Sequence, residues 1–381
     1  MNRFSFTIPQ NIIVGAGSLK RLPALAMELK KKKAYIISGP HLNKIGLVQS
    51  CKDALSEAGI DSDSFTETEG NPSTETVKKA TDEFLNSGAD FIVAFGGGSP
   101  LDVAKAVAVL ASYGGNITDY EGGGKVPGPV VPMIAIPTTA GTGSEVTAFS
   151  VITDHARNYK LTVVSNYLLP QYAILDPELI MTVPKKTAAA CGIDAFVHAL
   201  EAYLSLAASP FSDMFAREAL SLIGKNIRAY VNNREDISAC EAMLVGSLFA
   251  GIAFSHARLG DVHAMSHPVS AFFDVPHGVA NAILLPTVLD FNKEVAANKY
   301  EYIYHCIAKD IGLIFNPDKL VEEIKKLNYE LGIPKNLSEV GVDKDLFDVM
   351  AEDAMKSGNI AVNPRKTNKQ DIIDLYINAY E

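Results

Sequence analysis

An aspartate and a histidine stand four residues apart inside an almost wholly apolar segment. Residues 187–205 read TAAACGIDAFVHALEAYLS, and Asp194 and His198 fall on one face of the helix that this pattern predicts. A carboxylate buried in such a helix costs free energy unless it is paired or binds a cation. A hydrogen bond at a helix N-terminus or a simple buried Asp–His pair would also explain these two residues.

Histidines cluster further along the chain, where four of the eight fall within 22 residues. These are His256, His263, His267 and His277. An aspartate and three imidazoles form a nitrogen and oxygen ligand set without thiolate, which suits Fe(II), Zn(II) or Mn(II). The cluster therefore favours a metal site that includes the aspartate upstream.

The spacing of the histidines leaves two arrangements open. His263 and His267 are four residues apart, so either both bind the metal, or one binds it while the other supports a ligand or transfers a proton. We expect Pro268 to interrupt the helix directly after them. His277 lies in a Pro-His-Gly turn that begins the next apolar helix, and His256 is expected to lie elsewhere.

A glycine-rich turn joins an apolar run to a helical one at residues 96–102, GGGSPLD. Ser99 is predicted as the helix N-cap, with Pro100 at the first helical position and Asp102 completing a capping arrangement. Backbone N–H groups before that helix could then bind an anion at the positive end of its dipole. The alternative is a tight turn that binds nothing.

A second loop supports the anion-binding interpretation. Residues 137–145, PTTAGTGSE, follow the run MIAIP and carry four hydroxyl side chains and two glycines. Open parallel sheets bind their ligands at the carboxyl ends of strands, where this loop is predicted to lie. The phosphates of a dinucleotide or nucleotide are the expected occupant.

Short apolar runs alternate with helical patterns over the first half of the chain, which predicts a parallel sheet. The predicted strands are 34–38, 90–95, 133–137 and 172–176, and a helix is predicted over 74–87 behind Pro72-Ser73. Helices alone are predicted afterwards, at 187–206, 215–231, 237–254, 279–296 and 320–331. We therefore expect an α/β domain over residues 1–185 and an all-helical domain over 186–381.

Composition restricts the class of protein. The 381 residues are 48% hydrophobic and 20% charged, which indicates a globular chain, and the net charge of −10 argues against nucleic acid as a partner. The four cysteines form no CxxC pair, as expected of reduced thiols in a cytoplasm. The N-terminus lacks a signal-peptide pattern, and no uncharged apolar run approaches the ~20 residues that span a bilayer. The sequence predicts a soluble cytoplasmic protein without membrane contact.

Four motifs together closely resemble the iron-containing, group III alcohol dehydrogenases. They are GGGSPLD (96–102), PTTAGTGSEVT (137–147), DAFVHALEAY (194–203) and VHAMSHPVSAFFDVPHGVANAILLP (262–286). Among these enzymes, the lactaldehyde reductase (1,2-propanediol oxidoreductase) branch looks nearest. The resemblance implies a dinucleotide-binding α/β domain, a dehydroquinate synthase-like overall fold with an all-helical metal-binding domain, an active site in the cleft between the domains, and a homodimer or larger homo-oligomer.

The resemblance also implies roles for single residues. The positions that match the metal ligands are Asp194, His198, His263 and His277, and His267 matches the histidine that is thought to assist proton transfer. Gly97, Gly98 and Ser99 match the loop that binds the pyrophosphate. The positions that match the rest of the cofactor site are Gly39, Asn71, Asp102, Thr138, Thr139, Thr142, Phe149 and Lys160.

Three positions depart from the family pattern. Ser38-Gly39-Pro40 stands where many NAD-preferring relatives carry an aspartate for the ribose hydroxyls, so NADP(H) remains open beside NAD(H). Asp261 stands where relatives are commonly apolar, and Phe149 replaces smaller or polar residues of some relatives. These two substitutions leave the substrate open.

The resulting prediction is a metal-dependent alcohol dehydrogenase or aldehyde reductase. It would transfer a hydride between NAD(P)(H) and a short-chain alcohol, diol or aldehyde, with Fe(II), or alternatively Zn(II), as the metal. A glycerol dehydrogenase-like enzyme, a dehydroquinate synthase-like lyase and a non-catalytic metal and nucleotide sensor are the competing interpretations. A sugar-phosphate substrate would need a basic cluster, which the motif segments lack.

Overall fold

The computed structural model describes residues 4–8, 10–157, 159–309 and 314–381. These residues form two compact units. The α/β unit contains Thr7–Thr139 and Gly143–Thr182, and the helical unit contains Ala140–Thr142 and Val183–Glu381 together with residues 4–6. The division at residue 185 into two domains stays a prediction.

The α/β unit is built on a six-stranded parallel sheet in the order β1-β9-β6-β4-β2-β3, with a three-stranded sheet β5-β8-β7 beside it in the same unit. The strands are β1 Asn11–Val14, β2 Lys33–Ile37, β3 Asp61–Phe65, β4 Phe91–Gly96, β5 Gly122–Gly123, β6 Met133–Pro137, β7 Phe149–Asp154, β8 Tyr159–Val164 and β9 Tyr172–Leu175. The helices of this unit are α1 Leu22–Glu28, α2 Pro40–Lys44, α3 Leu47–Glu57, α4 Thr74–Ser87, α5 Gly98–Tyr113 and α6 Pro177–Ile180.

Strand β4 is buried on both faces, which places the sheet between two hydrophobic cores. All six of its residues are buried. Phe91, Val93 and Phe95 pack into the core that contains α1 and α3, while Ile92 and Ala94 pack into the core that contains α4 and α5. Because both faces are covered, a continuous apolar run is the expected pattern. The predicted parallel sheet is therefore confirmed, and its four predicted strands end within one residue of the observed ends.

The strand order places a topological switch point between β2 and β4. From β2 the chain continues to β3 on one side, and then returns to β4 on the other side. Loops that leave the carboxyl ends of β2 and β4 consequently diverge and leave a crevice, the usual ligand position in such sheets. Two of the predicted cofactor residues lie here, since Gly39 is two residues after β2 and Gly97 directly follows β4.

The helical unit contains the remaining helices. They are α7 Lys185–Leu204, α8 Pro210–Asn232, α9 Ile237–Ala257, α10 Asp261–Phe273, α11 His277–Ile307, α12 Pro317–Leu331, α13 Phe347–Ala354 and α14 Lys369–Tyr380. The five helices predicted in this half are all present. The largest difference is α11, which was predicted over 279–296 but starts at His277 and extends to Ile307.

The expectation that Pro268 interrupts its helix is wrong. Helix α10 continues through Pro268 to Phe273 and ends at Asp274, whose φ of 53° is left-handed. Val262, Met265 and Val269 stand at helical spacing on both sides of the proline, and each is 0% exposed. Burial of this apolar stripe outweighs the hydrogen bond that a proline removes from a helix interior.

Helix α9 is long and apolar enough to cross a membrane by length and composition, with a mean hydropathy of 1.8. In the structure, most of α9 is buried inside the protein, where it packs mainly against α7 and α8. A core helix that is apolar on all sides has this property. Glu241 is the one acidic or basic residue of this helix apart from His256.

A buried lysine on α5 organises the loop that follows β6. Lys105 is 1% exposed, and its Nζ donates hydrogen bonds to the Ser144 hydroxyl at 2.9 Å and to the carbonyls of Thr147 and Phe149 at 2.8 Å each. The ammonium group therefore links α5 to three residues of the segment 144–149 through hydrogen bonds. The β7–β8 hairpin that follows was not predicted from the sequence.

Glu145 is a second buried ionisable group in the same loop. Burial raises the pKa of Glu145 to about 7, although its own backbone N–H and the charge of Lys105 oppose the rise. Burial also lowers the pKa of Lys105 to about 8, against the attraction of Asp102 and Glu145. The loop is thus held by groups whose ionisation is costly in the interior.

Replacing Glu145 by glutamine should stabilise the protein, and the gain should grow with pH. The folded carboxyl keeps its proton up to about pH 7, whereas the unfolded chain releases it near 4.5. As pH rises from 4.5 to about 7, the free energy of unfolding of the wild type therefore loses the contribution of Glu145, by up to about 1.4 kcal/mol per pH unit. Urea unfolding followed by circular dichroism across the window measures the difference.

Glu57→Gln is the matched control, because Glu57 is an exposed carboxylate of the same unit. We expect this variant to keep the pH dependence of the wild type. A Glu145→Gln effect of equal size at every pH would contradict the assigned protonation of Glu145.

Candidate metal centre and nucleotide site

Close approach of two helices brings the predicted metal ligands together. A Cβ atom added to Gly278 would lie 2.1 Å from the carbonyl oxygen of Ala190 and 3.2 Å from Asp194 Cβ. Glycine therefore lets the first turn of α11 lie against α7. His277 begins α11, so this contact places its ring beside Asp194.

Three of the four predicted ligands converge. Asp194 Oδ1 lies 3.8 Å from His263 Nε2 and 3.9 Å from His277 Nε2, and one ligand atom from each residue lies within 4.8 Å of the others. The Asp–His separations are too long for hydrogen bonds, but two ligands that each lie about 2.1 Å from one ion are up to about 4.2 Å apart. The donor set and the aspartate–imidazole spacing fit a divalent metal.

His198 lies beside this group without belonging to it. Its Nδ1 is 3.9 Å from Asp194 Oδ2 and forms no hydrogen bond with the residues that the structure describes. Its ring stacks on those of Phe254 and His263, with both centroid distances at 4.5 Å. The role of His198 as a ligand stays a prediction.

His267 is a neighbour of the group rather than a member. Its ring centroid lies 6.5 Å from that of His263 and 5.3 Å from that of His277, and the residue is partly buried. The structure therefore places His267 next to the three-residue group, and its role in proton transfer stays a prediction.

Two polar side chains at the site were not predicted from the sequence. Asn281 Nδ2 donates to Asp194 Oδ1 at 2.6 Å and lies 3.1 Å from His263 Nε2 and 3.2 Å from His277 Nε2. Glu201 Oε2 lies 2.5 Å from His263 Nδ1. Helical spacing could have indicated both, since Asn281 is four residues after His277, and Glu201 is seven residues after Asp194.

The cluster favours positive charge next to its carboxylates. Burial alone would raise the pKa of Asp194, but the attraction of His198, His263 and His277 outweighs it and holds that pKa well below its usual range. Burial would lower the pKa of His263, yet the charges of Glu201 and Asp194 raise it to about 9. Burial lowers the pKa of His198 to about 4 in spite of Asp194. A metal bound at His263 would therefore displace a proton.

Asp261, one of the departures from the family pattern, does not join the three-residue metal group. It is 0% exposed, and its Oδ2 accepts a hydrogen bond from the Thr367 hydroxyl at 2.6 Å. Burial raises the pKa of Asp261 to about 8, and the charges of Glu201 and Asp371 add to the rise. The carboxyl is therefore largely protonated at neutral pH and contributes little charge to the metal site.

The glycine turn after β4 is capped differently from the prediction. Helix α5 begins at Gly98 with Gly97 as its N-cap, so Ser99 and Pro100 lie inside the first turn, and the predicted Ser99 cap is wrong. Asp102 does not cap the helix, because its carboxylate accepts hydrogen bonds from the Ser144 hydroxyl at 2.7 Å and from the Val151 N–H at 3.2 Å. Among the described residues no side chain caps this N-terminus, which suits the binding of an anion.

The loop after β6 meets this turn. The N–H of Thr138 donates to the carbonyl of Gly96 at 2.9 Å. A Cβ atom on Gly97 would lie 3.2 Å from the Thr139 hydroxyl, so a glycine is needed for the approach of that side chain. Thr138 and Thr139 thus lie with Gly97 at the carboxyl ends of β4 and β6. Thr142 belongs to the helical unit instead.

The remaining predicted cofactor residues occupy two other places in the α/β unit. Lys160 on β8 donates from Nζ to Asn71 Oδ1 at 2.7 Å, and Asn71 has a left-handed φ of 52°. Gly39 is the N-cap of α2 after strand β2. Phe149 begins β7, and its carbonyl accepts from Lys105.

Comparisons with known proteins agree along the whole chain. The model of the family Iron-containing alcohol dehydrogenase matches residues 9–177, and that of the C-terminal part of the Fe-containing alcohol dehydrogenase family matches residues 188–380. A solved structure of a 1,3-propanediol oxidoreductase is similar with a TM-score of 0.95 and 36% identity, and the match covers 100% of both chains.

Curated relatives cover nearly the same length. The chain is 35% identical to an NAD-dependent methanol dehydrogenase of Bacillus methanolicus, over 98% of this chain and 99% of the relative. It is 37% identical to a 1,3-propanediol dehydrogenase of Klebsiella pneumoniae, over 99% of each, and 36% identical to a lactaldehyde reductase of Escherichia coli strain K12, over 94% and 95%. These sequence identities are too similar to assign the chain to one of the three enzymes. Together with the two family models they show that the chain belongs to the iron-containing alcohol dehydrogenase family.

Proposed function

We propose that this enzyme transfers a hydride between NAD(P)(H) and a short-chain alcohol, diol or aldehyde at a metal centre of the helical unit. The observation that carries the proposal is the convergence of Asp194, His263 and His277 within 4.8 Å. Asp194 is 3% exposed and His263 is 1% exposed, so these groups are held in a largely dry place. Family membership supports this chemistry over a dehydroquinate synthase-like or glycerol dehydrogenase-like reaction.

The proposed ligands are Asp194, His198, His263 and His277, with Fe(II) as the metal and Zn(II) as the alternative. When bound, such an ion lowers the pKa of an alcohol and polarises a carbonyl group. One carboxylate and three neutral imidazoles supply a net charge of only about −1, so the site keeps positive charge. Asp194 and Asn281 hold each other through the 2.6 Å hydrogen bond, which fixes the carboxylate facing the histidines.

His267 is proposed as the residue that moves the proton. An imidazole exchanges protons near neutral pH, and its ring lies 5.3 Å from that of His277. That distance places it outside the ligand group but near the ligand with the most exposed side chain, at 24%. In alcohol oxidation it would accept the hydroxyl proton, directly or through water, and in aldehyde reduction it would return one.

The nucleotide is proposed to bind in the α/β unit at the switch point. The backbone of Gly97, Gly98 and Ser99 would bind the pyrophosphate at the N-terminus of α5. The remaining proposed contacts are Gly39, Asn71, Asp102, Thr138, Thr139, Thr142, Phe149 and Lys160. The relatives are named as NAD-dependent and NADPH-dependent enzymes, which supports both coenzymes as candidates.

The names of the relatives also support a small substrate. Three of them are named for methanol, 1,3-propanediol and lactaldehyde, and a further relative from Clostridium saccharobutylicum is named as an NADPH-dependent butanol dehydrogenase; all four compounds have short carbon chains. We further propose a cytoplasmic enzyme that forms a homodimer or larger homo-oligomer and has no nucleic acid or membrane partner. All four cysteines are free thiols, which supports a reducing compartment.

Substituting a ligand should remove the metal without unfolding the nucleotide site. For Asp194→Ala and His263→Ala, we expect bound Fe(II) or Zn(II) to fall from about one ion per chain to background, because one carboxylate or imidazole fewer leaves the site incomplete. Turnover should be lost, while NADH affinity stays close to that of the wild type. Metal analysis after anaerobic loading and a binding titration measure the two effects.

His305→Ala is the control for loss of a helical histidine, since its side chain is 44% exposed on α11. This variant should keep the metal and the turnover of the wild type. Full metal content and activity in Asp194→Ala and His263→Ala would exclude this centre.

Substituting His267 should separate proton transfer from metal binding. We expect His267→Ala to retain one metal ion per chain and to lose about 10²-fold in kcat, the size of effect that general acid–base groups have. The pH profile of kcat should also lose the ionisation that His267 contributes. Loss of the metal in this variant would show that His267 is a ligand.

An aspartate at position 39 should select against NADP(H). Gly39 has ordinary extended angles, φ −103° and ψ 165°, so a side chain fits its backbone, with a Cβ 3.3 Å from the Thr68 carbonyl. A carboxylate there would repel a 2′-phosphate, which should raise KM for NADPH relative to NADH by about tenfold or more. Gly39→Asn is the neutral control, and an equal shift in both variants would contradict the charge argument.

A further inference from the structure

Glu201 makes two hydrogen bonds inside the helical unit, and both lead to the segment that carries His263. Its Oε2 lies 2.5 Å from His263 Nδ1, and its Oε1 accepts from the backbone N–H of Val262 at 2.8 Å. Glu201 is 5% exposed and His263 is 1% exposed. A carboxylate this deeply buried is stable only when its oxygens are paired.

The chemistry of these groups fixes which nitrogen of His263 faces the cluster. A carboxylate accepts hydrogen bonds, so His263 Nδ1 carries the hydrogen that Glu201 receives. The other nitrogen, Nε2, faces Asp194 Oδ1 at 3.8 Å. Nε2 is therefore the atom that the ring presents to a cation.

The backbone of Gly260 lies directly against the Glu201 carboxylate. A Cβ atom on Gly260 would lie 2.9 Å from Glu201 Oε1 and 3.0 Å from Asn363 Oδ1, so the chain needs a glycine here. Glu201 also lines a small cavity of about 10 Å³ with Asn292 and Asn363. The two asparagines are hydrogen-bonded to each other at 3.0 and 3.1 Å.

We propose that Glu201 is a positioning residue for the metal centre and sets its affinity. It orients the His263 ring, fixes the hydrogen on Nδ1 and increases the basicity of Nε2 towards a divalent ion. This inference rests on the proposed metal role of His263. Carboxylates that accept from metal-binding histidines act in this way elsewhere, and removing them weakens metal affinity about 10–100-fold.

The test is Glu201→Gln in the full-length protein, with Zn(II) or Fe(II) as the probe. Glu201 accepts from Val262 with Oε1 and from His263 with Oε2, whereas a glutamine places an NH2 donor at one of these two positions and so loses one of the two bonds. We expect the dissociation constant of the metal, measured by competition with a chelator, to rise about 10–100-fold. With Co(II) in the site, the visible absorption spectrum should shift, and NADH affinity should stay unchanged.

Glu323→Gln is the matched control. Glu323 is a helical carboxylate with an 11% exposed side chain, and it forms an ion pair with Arg228 at 2.9 Å. Its loss should lower the midpoint of thermal unfolding but leave metal affinity and the Co(II) spectrum unchanged. The comparison separates a stability effect from a positioning effect.

A second variant covers the case in which Glu201→Gln does not fold. Gly260→Ala keeps the Glu201 carboxylate, but the added methyl group would lie 2.9 Å from Oε1 and displace it. We therefore expect this variant also to raise the dissociation constant of the metal. Metal affinity within about twofold of the wild type in whichever of the two variants folds would overturn the inference. If the wild type itself binds no stoichiometric metal, the proposed function fails, and this inference fails with it.

Discussion

Burial of carboxylates inside an apolar helix is the constraint on which the helical unit depends. Asp194 and Glu201 lie on α7, where sixteen of the twenty residues are buried. Each acid needs positive or hydrogen-donating partners, and these come from α10 and α11, which are distant in sequence. Asp194 accepts a hydrogen bond from Asn281 and faces His263 and His277. Glu201 accepts hydrogen bonds from the His263 ring and from the backbone N–H of Val262. The partners therefore have to converge if the helix is to be buried at all.

A corresponding constraint holds the α/β unit. A parallel sheet aligns the carboxyl ends of its strands, and so gathers Gly39, Gly97 and Thr138 at one edge whatever their distance in sequence. Lys105 on α5 then holds the loop after β6 in place, because its Nζ donates hydrogen bonds to the Ser144 hydroxyl and to the backbone carbonyls of residues 147 and 149. Because the Asp102 carboxylate accepts from Ser144 in this loop, it does not cap α5, and the N-terminus of that helix keeps the backbone N–H groups that the proposed pyrophosphate site needs.

Sequence patterns predicted the elements better than the details of their ends. Buried strands such as β4 leave continuous apolar runs, and α4 begins with a Ser73 cap that local sequence encodes. The Ser99 cap and the break at Pro268 were wrong because tertiary contacts decided them. Asp102 found partners 42 and 49 residues away, and the apolar stripe of α10 continued past the proline. Such contacts leave no local pattern.

The same reasoning explains which site residues the sequence revealed. Histidines are rare, so their clustering was visible, whereas Glu201 and Asn281 resemble the polar residues of any helix. The proposed ligands differ in how far solvent reaches their side chains. The side chain of His277 is 24% exposed, whereas those of Asp194, His198 and His263 are only 5, 7 and 1% exposed. The proposed metal centre is therefore most accessible beside His277, and under the proposed function a substrate oxygen would approach from that side. The ring of His267 lies 5.3 Å from that of His277, next to this opening, as the proposed proton transfer requires.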